Sequence, residues 1–231
     1  MRENATGVSS RYPHCEPEGS AVMTAVGASW SDRVEDLLAG PLPLPVVVAG
    51  DPVLRTPAEP FDGQLDDALL ARFVAAMRTT MLAAPGVGLA GPQVGVGLRV
   101  AVLEDPAAVM PEIATIRDRR PLPFTALLNP RYEPLGADRA AFYEGCLSVP
   151  GYQAVTERAA GVRVVATDPA GATIDIDLHG WSARIVQHEC DHLDGVLYLD
   201  KAMLRSLADT GSYQALWAAP RPDAARDALG F

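Results

Sequence analysis

The architecture of this chain is organised around one short stretch, Gln187-His188-Glu189-Cys190-Asp191-His192. It lies inside a predicted helix over residues 182–193, which has apolar flanks and ends before Gly195. Two histidines four residues apart on a helix lie on one face, so both can bind one cation. Glu189 can reach a metal-bound water without being a ligand. The stretch predicts a metal site; the alternative is a pair of surface histidines on an amphipathic helix.

The helix does not identify a third ligand. Zinc proteases with this motif take a later histidine or glutamate, and the chain has neither after His192. Cys190 lies about 200° around the helix from either histidine, so it is expected to pack away from them. Cys146 stands beside a glycine in a turn-like strand end, where its thiolate can be presented with neighbouring N–H groups. The remaining candidates are Glu144, His179, His14 and Cys15 upstream and Asp194 and Asp200 downstream.

The rest of the pattern predicts a mixed fold. Apolar residues recur every four positions in a helix expected over 62–82, and a glycine-rich loop follows over 86–95. Strands are expected over 99–104, 124–129, 162–168 and 173–178, the last two forming a hairpin around Pro169-Ala170-Gly171. Because strands and helices do not alternate, the prediction is an α+β fold. Its antiparallel sheets are expected to surround the central helix with the two histidines.

Three regions are expected along the chain. Residues 1–43 form a loosely ordered N-terminal extension with one short helix over 31–38, and Met23 is a second candidate start. Residues 44–203 form the catalytic domain, and 204–231 are a C-terminal extension. The apolar stretch at 21–30 is short and lacks a positively charged segment before it, which argues against a secretory signal, and the acidic residues near the N-terminus argue against a transit peptide.

Charge and cysteine content narrow the classes of function. The net charge of −10 disfavours nucleic-acid binding, and Arg117-Asp118-Arg119-Arg120 is expected to be a solvated loop. The longest uncharged stretch, 79–98, is broken by glycine and proline, so no membrane contact is expected. Three cysteines cannot all pair and fit a reducing compartment. We expect a bacterial cytoplasmic protein, with an organellar location as the alternative.

Three segments together carry a family resemblance. Gly86-Val87-Gly88-Leu89-Ala90-Gly91-Pro92-Gln93, Glu144-Gly145-Cys146-Leu147-Ser148 and Gln187–His192 resemble the three motifs of peptide deformylases, in the same order and at compatible spacing. Gly180-Trp181-Ser182-Ala183-Arg184 before the last motif is most similar to the branch that includes organellar enzymes. Gly91 departs from the alanine usual in the family.

The resemblance implies an activity and a set of residues. The reaction would be metal-dependent hydrolysis of the N-formyl group from formyl-methionyl nascent polypeptides at the ribosome, with release of formate. Cys146, His188 and His192 would bind one divalent ion, expected to be Fe²⁺, with Zn²⁺, Ni²⁺ or Co²⁺ also possible. A metal-activated water would attack the formyl carbon, and Glu189 would carry its proton to the leaving amine. The Gln93 side-chain amide and the Leu147 backbone N–H would stabilise the oxyanion.

Several residues are candidates for contact with the substrate. Val87, Leu147 and Ile185 are candidates for an apolar pocket around the methionine side chain, and Gly88 would leave room for the substrate backbone. Arg158 matches a position near the substrate pocket of the family; the alternative for it is a surface charge. Asp191 and Gln187 flank the ligands and are expected to support them; the alternative for Asp191 is a solvated helix charge.

Two rival functions remain at the level of sequence. A zinc endopeptidase shares the two histidines and Glu189, but the missing downstream ligand weighs against it. A binding module with a structural metal would normally show four protein ligands and would not need Glu189 or Gln93.

Overall fold

Five antiparallel strands form the larger of two sheets, in the order β1-β2-β3-β6-β7. This computed structural model describes residues 28–84 and 86–231 of the chain. The strands of this sheet are β1 (Gly88–Ala90), β2 (Val100–Asp105), β3 (Leu122–Pro134), β6 (Gly161–Thr167) and β7 (Thr173–His179). The predicted β6–β7 hairpin is confirmed, with Thr167 paired to Thr173 across the turn.

A second, three-stranded sheet was not predicted as such. It consists of β4 (Arg139–Cys146), β5 (Val149–Ala159) and the short β8 (Ala208–Asp209), in the order β4-β5-β8. Pro150 and Gly151 lie inside β5 and hide its alternating pattern, because both residues are depleted in strands. The β4–β5 hairpin carries Cys146 at the end of its first strand.

Helix α4 (Gly180–Leu193) packs against strands of both sheets. Its apolar face, which includes Ala183 and Val186, joins Val162 and Val164 of β6 in a buried cluster. Cys190 lies in the same cluster and is 1 % exposed. The α+β fold, with antiparallel sheets around the histidine-bearing helix, is therefore confirmed.

The remaining helices cover the other side of the larger sheet. Helix α2 (Asp67–Ala83) begins five residues later than predicted because the Asp66 side chain accepts a hydrogen bond from Leu69 N and caps it. Helix α1 (Trp30–Ala39) is capped by Ser29 and buries Val34 completely against the α2 cluster. From residue 28 on, the N-terminal extension is thus packed rather than loosely ordered. Residues 1–27, with His14, Cys15 and Met23, lie outside the described residues.

The basic segment after α3 (Pro111–Ile116) is not the solvated loop that its composition predicts. Arg119 donates two hydrogen bonds to Asp105, which is 1 % exposed. The Arg117 guanidinium lies 4.9 Å from the centroid of the Trp181 ring. The aromatic and acidic partners of these arginines come from distant parts of the chain, so a local charge pattern cannot predict their burial.

The C-terminal extension packs on the smaller sheet. The turn α5 (Thr210–Ser212) continues as a π-helical turn over Tyr213–Trp217, and α6 (Asp223–Leu229) follows. Their apolar side chains form a cluster with Tyr143 and Val155 of the β4–β5 hairpin. No helix within the described part of the chain combines the length and the apolar character needed to cross a membrane.

Candidate metal centre

Three side chains converge on one side of α4: Cys146 at the end of β4, and His188 and His192 of α4 itself. The ligand atoms of Cys146, His188 and His192 lie within 4.8 Å of one another, and this is the one such cluster of metal-binding side chains among the residues described. The Cys146 Sγ lies 3.2 Å from His192 Nε2. One soft thiolate and two imidazoles are a donor set that suits Zn²⁺ and related transition-metal ions. The residues present therefore fit a divalent metal.

An irregularity in the β4–β5 hairpin brings Cys146 to this position. Gly145 pairs with Gln153, but Cys146 pairs with Val149, so three residues of β5 stand without a partner on β4. Gly151, inside that bulge, has φ +83°, a conformation that favours glycine. Bulges re-aim side chains next to active sites, and here the thiol leaves the ladder toward α4.

A buried carboxylate fixes the orientation of His188. Its Nδ1 lies 3.1 Å from Glu144 Oε2, which leaves Nε2 as the candidate ligand atom. Glu144 also accepts hydrogen bonds from Arg158 Nε at 2.6 Å and Nη2 at 2.9 Å, and from Arg184. Burial alone would raise the pKa of Glu144, but the Arg158 guanidinium and the hydrogen bond with His188 hold it well below its ordinary value. Such carboxylate–histidine pairs set the tautomer of a metal ligand.

The same network reaches the surface through Asp191. Its carboxylate accepts from Arg158 Nη1 at 2.8 Å and from Lys201 Nζ at 2.6 Å. Asp191 is only 4 % exposed, so it is a supporting residue rather than a solvated helix charge. Gln187 has a different role. Its side-chain oxygen accepts a hydrogen bond from Ala159 N, and its side-chain nitrogen donates one to the Ala159 carbonyl, which links α4 to β5.

Arg158 is not placed where a substrate contact would need it. It is 3 % exposed, and its guanidinium is taken up by Glu144 and Asp191. It does not line the cleft described below. The expectation of a substrate-binding Arg158 is therefore wrong, and its alternative as a surface charge is wrong as well. Sequence reasoning missed this role because neither carboxylate is near Arg158 in the chain.

Glu189 lies beside the three donors with one carboxylate oxygen free. Its Oε2 is buried and has no hydrogen-bond partner among the described residues. Burial raises the pKa of the Glu189 carboxyl to about 7. A carboxyl that titrates near neutrality suits general acid–base catalysis.

Gly88 makes room for Glu189. A Cβ built on Gly88 would lie 2.2 Å from Glu189 Oε1 and 2.7 Å from its Cδ. The expected reason for this glycine, space for the substrate backbone, is thus incomplete, because the first group that a Cβ would meet is the carboxylate.

Gly88→Ala is expected to keep its metal but to lose about 10²-fold in kcat, since the displaced carboxylate no longer meets the reacting atoms. Gly145→Ala is the matched control: it also lines the cleft, yet its Cβ would meet no atom closer than 3.4 Å. Formate release and metal content are measured on both. Wild-type turnover in Gly88→Ala would contradict the assigned contact.

Gln93 is held with its amide nitrogen toward the donors. Its Oε1 accepts a hydrogen bond from Ala90 N at 2.9 Å, so the Nε2 group points away from that nitrogen. Nε2 lies 3.6 Å from Cys146 Sγ and 3.3 Å from Ser148 Oγ. Ser148, which is fully buried, is a contact that sequence reasoning did not single out.

A cleft of about 610 Å³ opens over the centre. Cys146, His188, Glu189 and Gln93 are all part of its wall. The four apolar or small residues expected to contact substrate also line it: Val87, Gly88, Leu147 and Ile185.

The other candidate ligands lie elsewhere. Asp194 pairs with Arg99 at 2.6 Å, and Asp200 pairs with Arg55. His179 is exposed at the start of α4. Cys190 is enclosed in apolar packing, and burial raises the pKa of its thiol to about 12.

Comparison with known proteins agrees with this geometry. A family model described as polypeptide deformylase matches residues 43–207. The chain belongs to the peptide deformylase family. Peptide deformylase 3 of Streptomyces avermitilis is 62 % identical over 201 residues, covering 87 % of this chain and 90 % of that protein. The mitochondrial peptide deformylase of Homo sapiens is 34 % identical over 213 residues, covering 89 % and 87 %.

Solved deformylases share the fold. A class I type b peptide deformylase from Acinetobacter baumannii with bound Met-Ala-Ser has a TM-score of 0.62 and 34 % identity, covering 68 % of this chain and 97 % of that one. The Synechococcus elongatus enzyme in complex with actinonin has a TM-score of 0.59 at 34 % identity, covering 71 % and 82 %. The chain is thus a metal-dependent hydrolase that removes the N-formyl group from nascent polypeptides. Membership of this family excludes both rival functions, the zinc endopeptidase and the non-catalytic binding module.

Proposed function

We propose that Cys146, His188 and His192 hold one divalent ion, Fe²⁺ in the cell, and that the cleft above them binds the formyl-methionyl end of a nascent chain. The observation that carries this proposal is the convergence of the three donors beside the cleft, whose wall includes Cys146, His188 and Glu189. Zn²⁺, Ni²⁺ or Co²⁺ would also be accepted, because thiolate and imidazole ligands bind all of them. When bound, the ion supplies Lewis acidity and lowers the pKa of a water.

Glu189 moves the proton. Its free Oε2 accepts a proton from the attacking water and then delivers it to the amine that leaves when the formyl C–N bond breaks. The products are formate and a peptide with a free N-terminus. Burial raises the pKa of the Glu189 carboxyl, which favours its holding the proton between the two steps.

Two donors stabilise the negative charge that develops on the formyl oxygen. One is Gln93 Nε2, whose orientation is fixed because Ala90 N donates a hydrogen bond to Gln93 Oε1. The other is the backbone N–H of Leu147, directly after Cys146. Preorganised donors of this kind contribute about 3–4 kcal/mol each to the transition state. The apolar side chains of Val87, Leu147 and Ile185 receive the methionine side chain.

The cellular setting is also part of the proposal. We place the enzyme in the bacterial cytoplasm, where it meets its substrates at the ribosome without direct contact with nucleic acid or membrane. Relatives from Streptomyces support the bacterial part of this proposal, and the net charge of −10 disfavours nucleic-acid contact. The organellar relatives keep an organellar location as the alternative.

Formate release from formyl-Met-Ala-Ser tests the activity. The protein is stripped of metal and reloaded under anaerobic conditions with Fe²⁺ or Zn²⁺, and metal content is measured in parallel. We expect one equivalent of formate per peptide from the loaded enzyme, none from the stripped enzyme, and no cleavage of casein. Cleavage of internal peptide bonds, or formate release without metal, would contradict the proposal.

A further inference from the structure

The C-terminal extension contributes to the cleft. Residues 208–231 lie beyond the segment that the family model matches. Thr210 and Tyr213 nevertheless line the cleft together with the residues of the metal centre. These two residues therefore line the cleft although they lie outside the segment that the family model matches.

The extension is anchored so that Tyr213 has a defined position. Asp209 pairs with Tyr152 across β8 and β5. The Asp209 side chain accepts hydrogen bonds from Gly211 N at 2.9 Å and Ser212 N at 3.1 Å, which caps the following turn. The Tyr213 ring then packs against Tyr143 of β4, with 5.0 Å between ring centroids.

Arg117 connects Tyr213 to the start of α4. Its guanidinium lies 4.9 Å from the Trp181 ring centroid and donates to the carbonyl oxygen of Pro220 at 3.3 Å. Burial lowers the pKa of Arg117, and the neighbouring Tyr213 phenol opposes that shift. Trp181, Arg117, Tyr143 and Tyr213 all line the cleft. These three aromatic rings and one guanidinium come from four separate parts of the chain and together form one wall of the cleft, the aromatic wall.

Helix geometry gives the distance of Trp181 from the metal centre along α4. Trp181 precedes His188 by seven residues, two turns or about 10.5 Å along the axis of α4. Ile185 and Arg184 lie between them in the chain and also line the cleft. A substrate side chain directed from the reacting centre along α4 would pass Ile185 and reach these aromatic rings. Methionine, unbranched and ending in a polarisable thioether, suits such a wall because sulfur makes favourable contacts with rings.

We propose that Tyr213 of the C-terminal extension limits the length of the pocket for the first side chain and so selects methionine over longer residues. This inference rests on the proposed function, since it assumes that the formyl group lies at the metal centre. Tyr213 would act by contact with the substrate side chain and not on the reacting atoms. Its removal would open the pocket without disturbing the donors.

Selectivity between two substrates tests the proposal. The full-length, metal-loaded enzyme is assayed for kcat/KM on formyl-Met-Ala-Ser and on the same peptide with homophenylalanine first. We expect Tyr213→Ala to raise the homophenylalanine/methionine ratio at least about tenfold, a size typical of pocket discrimination by a few carbon atoms. Tyr213→Phe, which keeps the ring, should leave the ratio within about twofold of the wild type.

A control variant separates the pocket wall from general loosening of the extension. Leu229→Ala removes an apolar contact of the same C-terminal cluster but does not line the cleft. Its ratio should equal that of the wild type, with metal content and Tm recorded for every variant. An unchanged ratio in Tyr213→Ala, or an equal shift in Leu229→Ala or Tyr213→Phe, would overturn the proposal. Wild-type formate release tests the proposed function separately.

Discussion

Cys146→Ala is expected to abolish tight metal binding and formate release, whereas Cys190→Ala should retain both. Cys146 Sγ lies 3.2 Å from His192 Nε2 and completes the cluster of three donors. Two imidazoles alone leave a metal with too few protein ligands for a stable catalytic site. Cys190 differs in every relevant respect: it packs among apolar side chains of α4 and β6, and burial raises the pKa of its thiol to about 12.

The two alanine variants form a matched pair, because each removes one sulfur atom from the same protein. Cys190→Ala should lower the free energy of unfolding by about 1–2 kcal/mol through the small cavity it leaves. Metal stoichiometry, formate release and thermal unfolding are measured on both. If Cys190→Ala lost its metal while Cys146→Ala kept it, the ligand set would have to be abandoned.

Glu189→Gln should keep one metal per chain but lose at least about 10²-fold in kcat, the usual contribution of a positioned acid–base group. The amide preserves the shape that fits against Gly88 and removes the ability to carry a proton. Because Glu189 is not one of the three donors, metal content should not change. The expected signature is thus a fully loaded and folded enzyme that is nearly inactive.

Glu157→Gln provides the control for this change. Glu157 is an exposed carboxylate on β5, away from the cleft, so the same chemical substitution should leave kcat and KM as in the wild type. Single-turnover formate release and metal analysis distinguish the two variants. Full activity in Glu189→Gln would remove this residue from the mechanism, and loss of its metal would make it a ligand.

Local periodicity predicted the elements that depend on it. The four-residue apolar repeat of α2 and the turn of the β6–β7 hairpin are both present in the structure. The first boundary of α2 was misplaced because Asp66, and not an earlier residue, caps the helix. The strand β5 escaped prediction, since Pro150 and Gly151 in the bulge break its alternation.

The central helix by itself determined much of the site. A spacing of four residues places His188 and His192 on one face and turns Cys190 to the opposite side, because an α-helix advances about 100° per residue. No long-range contact is needed for that conclusion. The sequence motifs likewise sufficed to indicate the family, since three short segments recur in the same order.

Only the tertiary structure decided what surrounds those residues. Arg158 became part of the support of His188 because β5 and α4 bring Glu144, Arg158 and Asp191 into one buried network. Tyr213 reached the cleft because β8 pairs with β5 and carries the C-terminal extension past the active site. Periodicity along a helix is a local property of the chain. Buried charge pairs and cleft walls join residues that are distant in sequence, and these residues come close together only once the sheets have assembled.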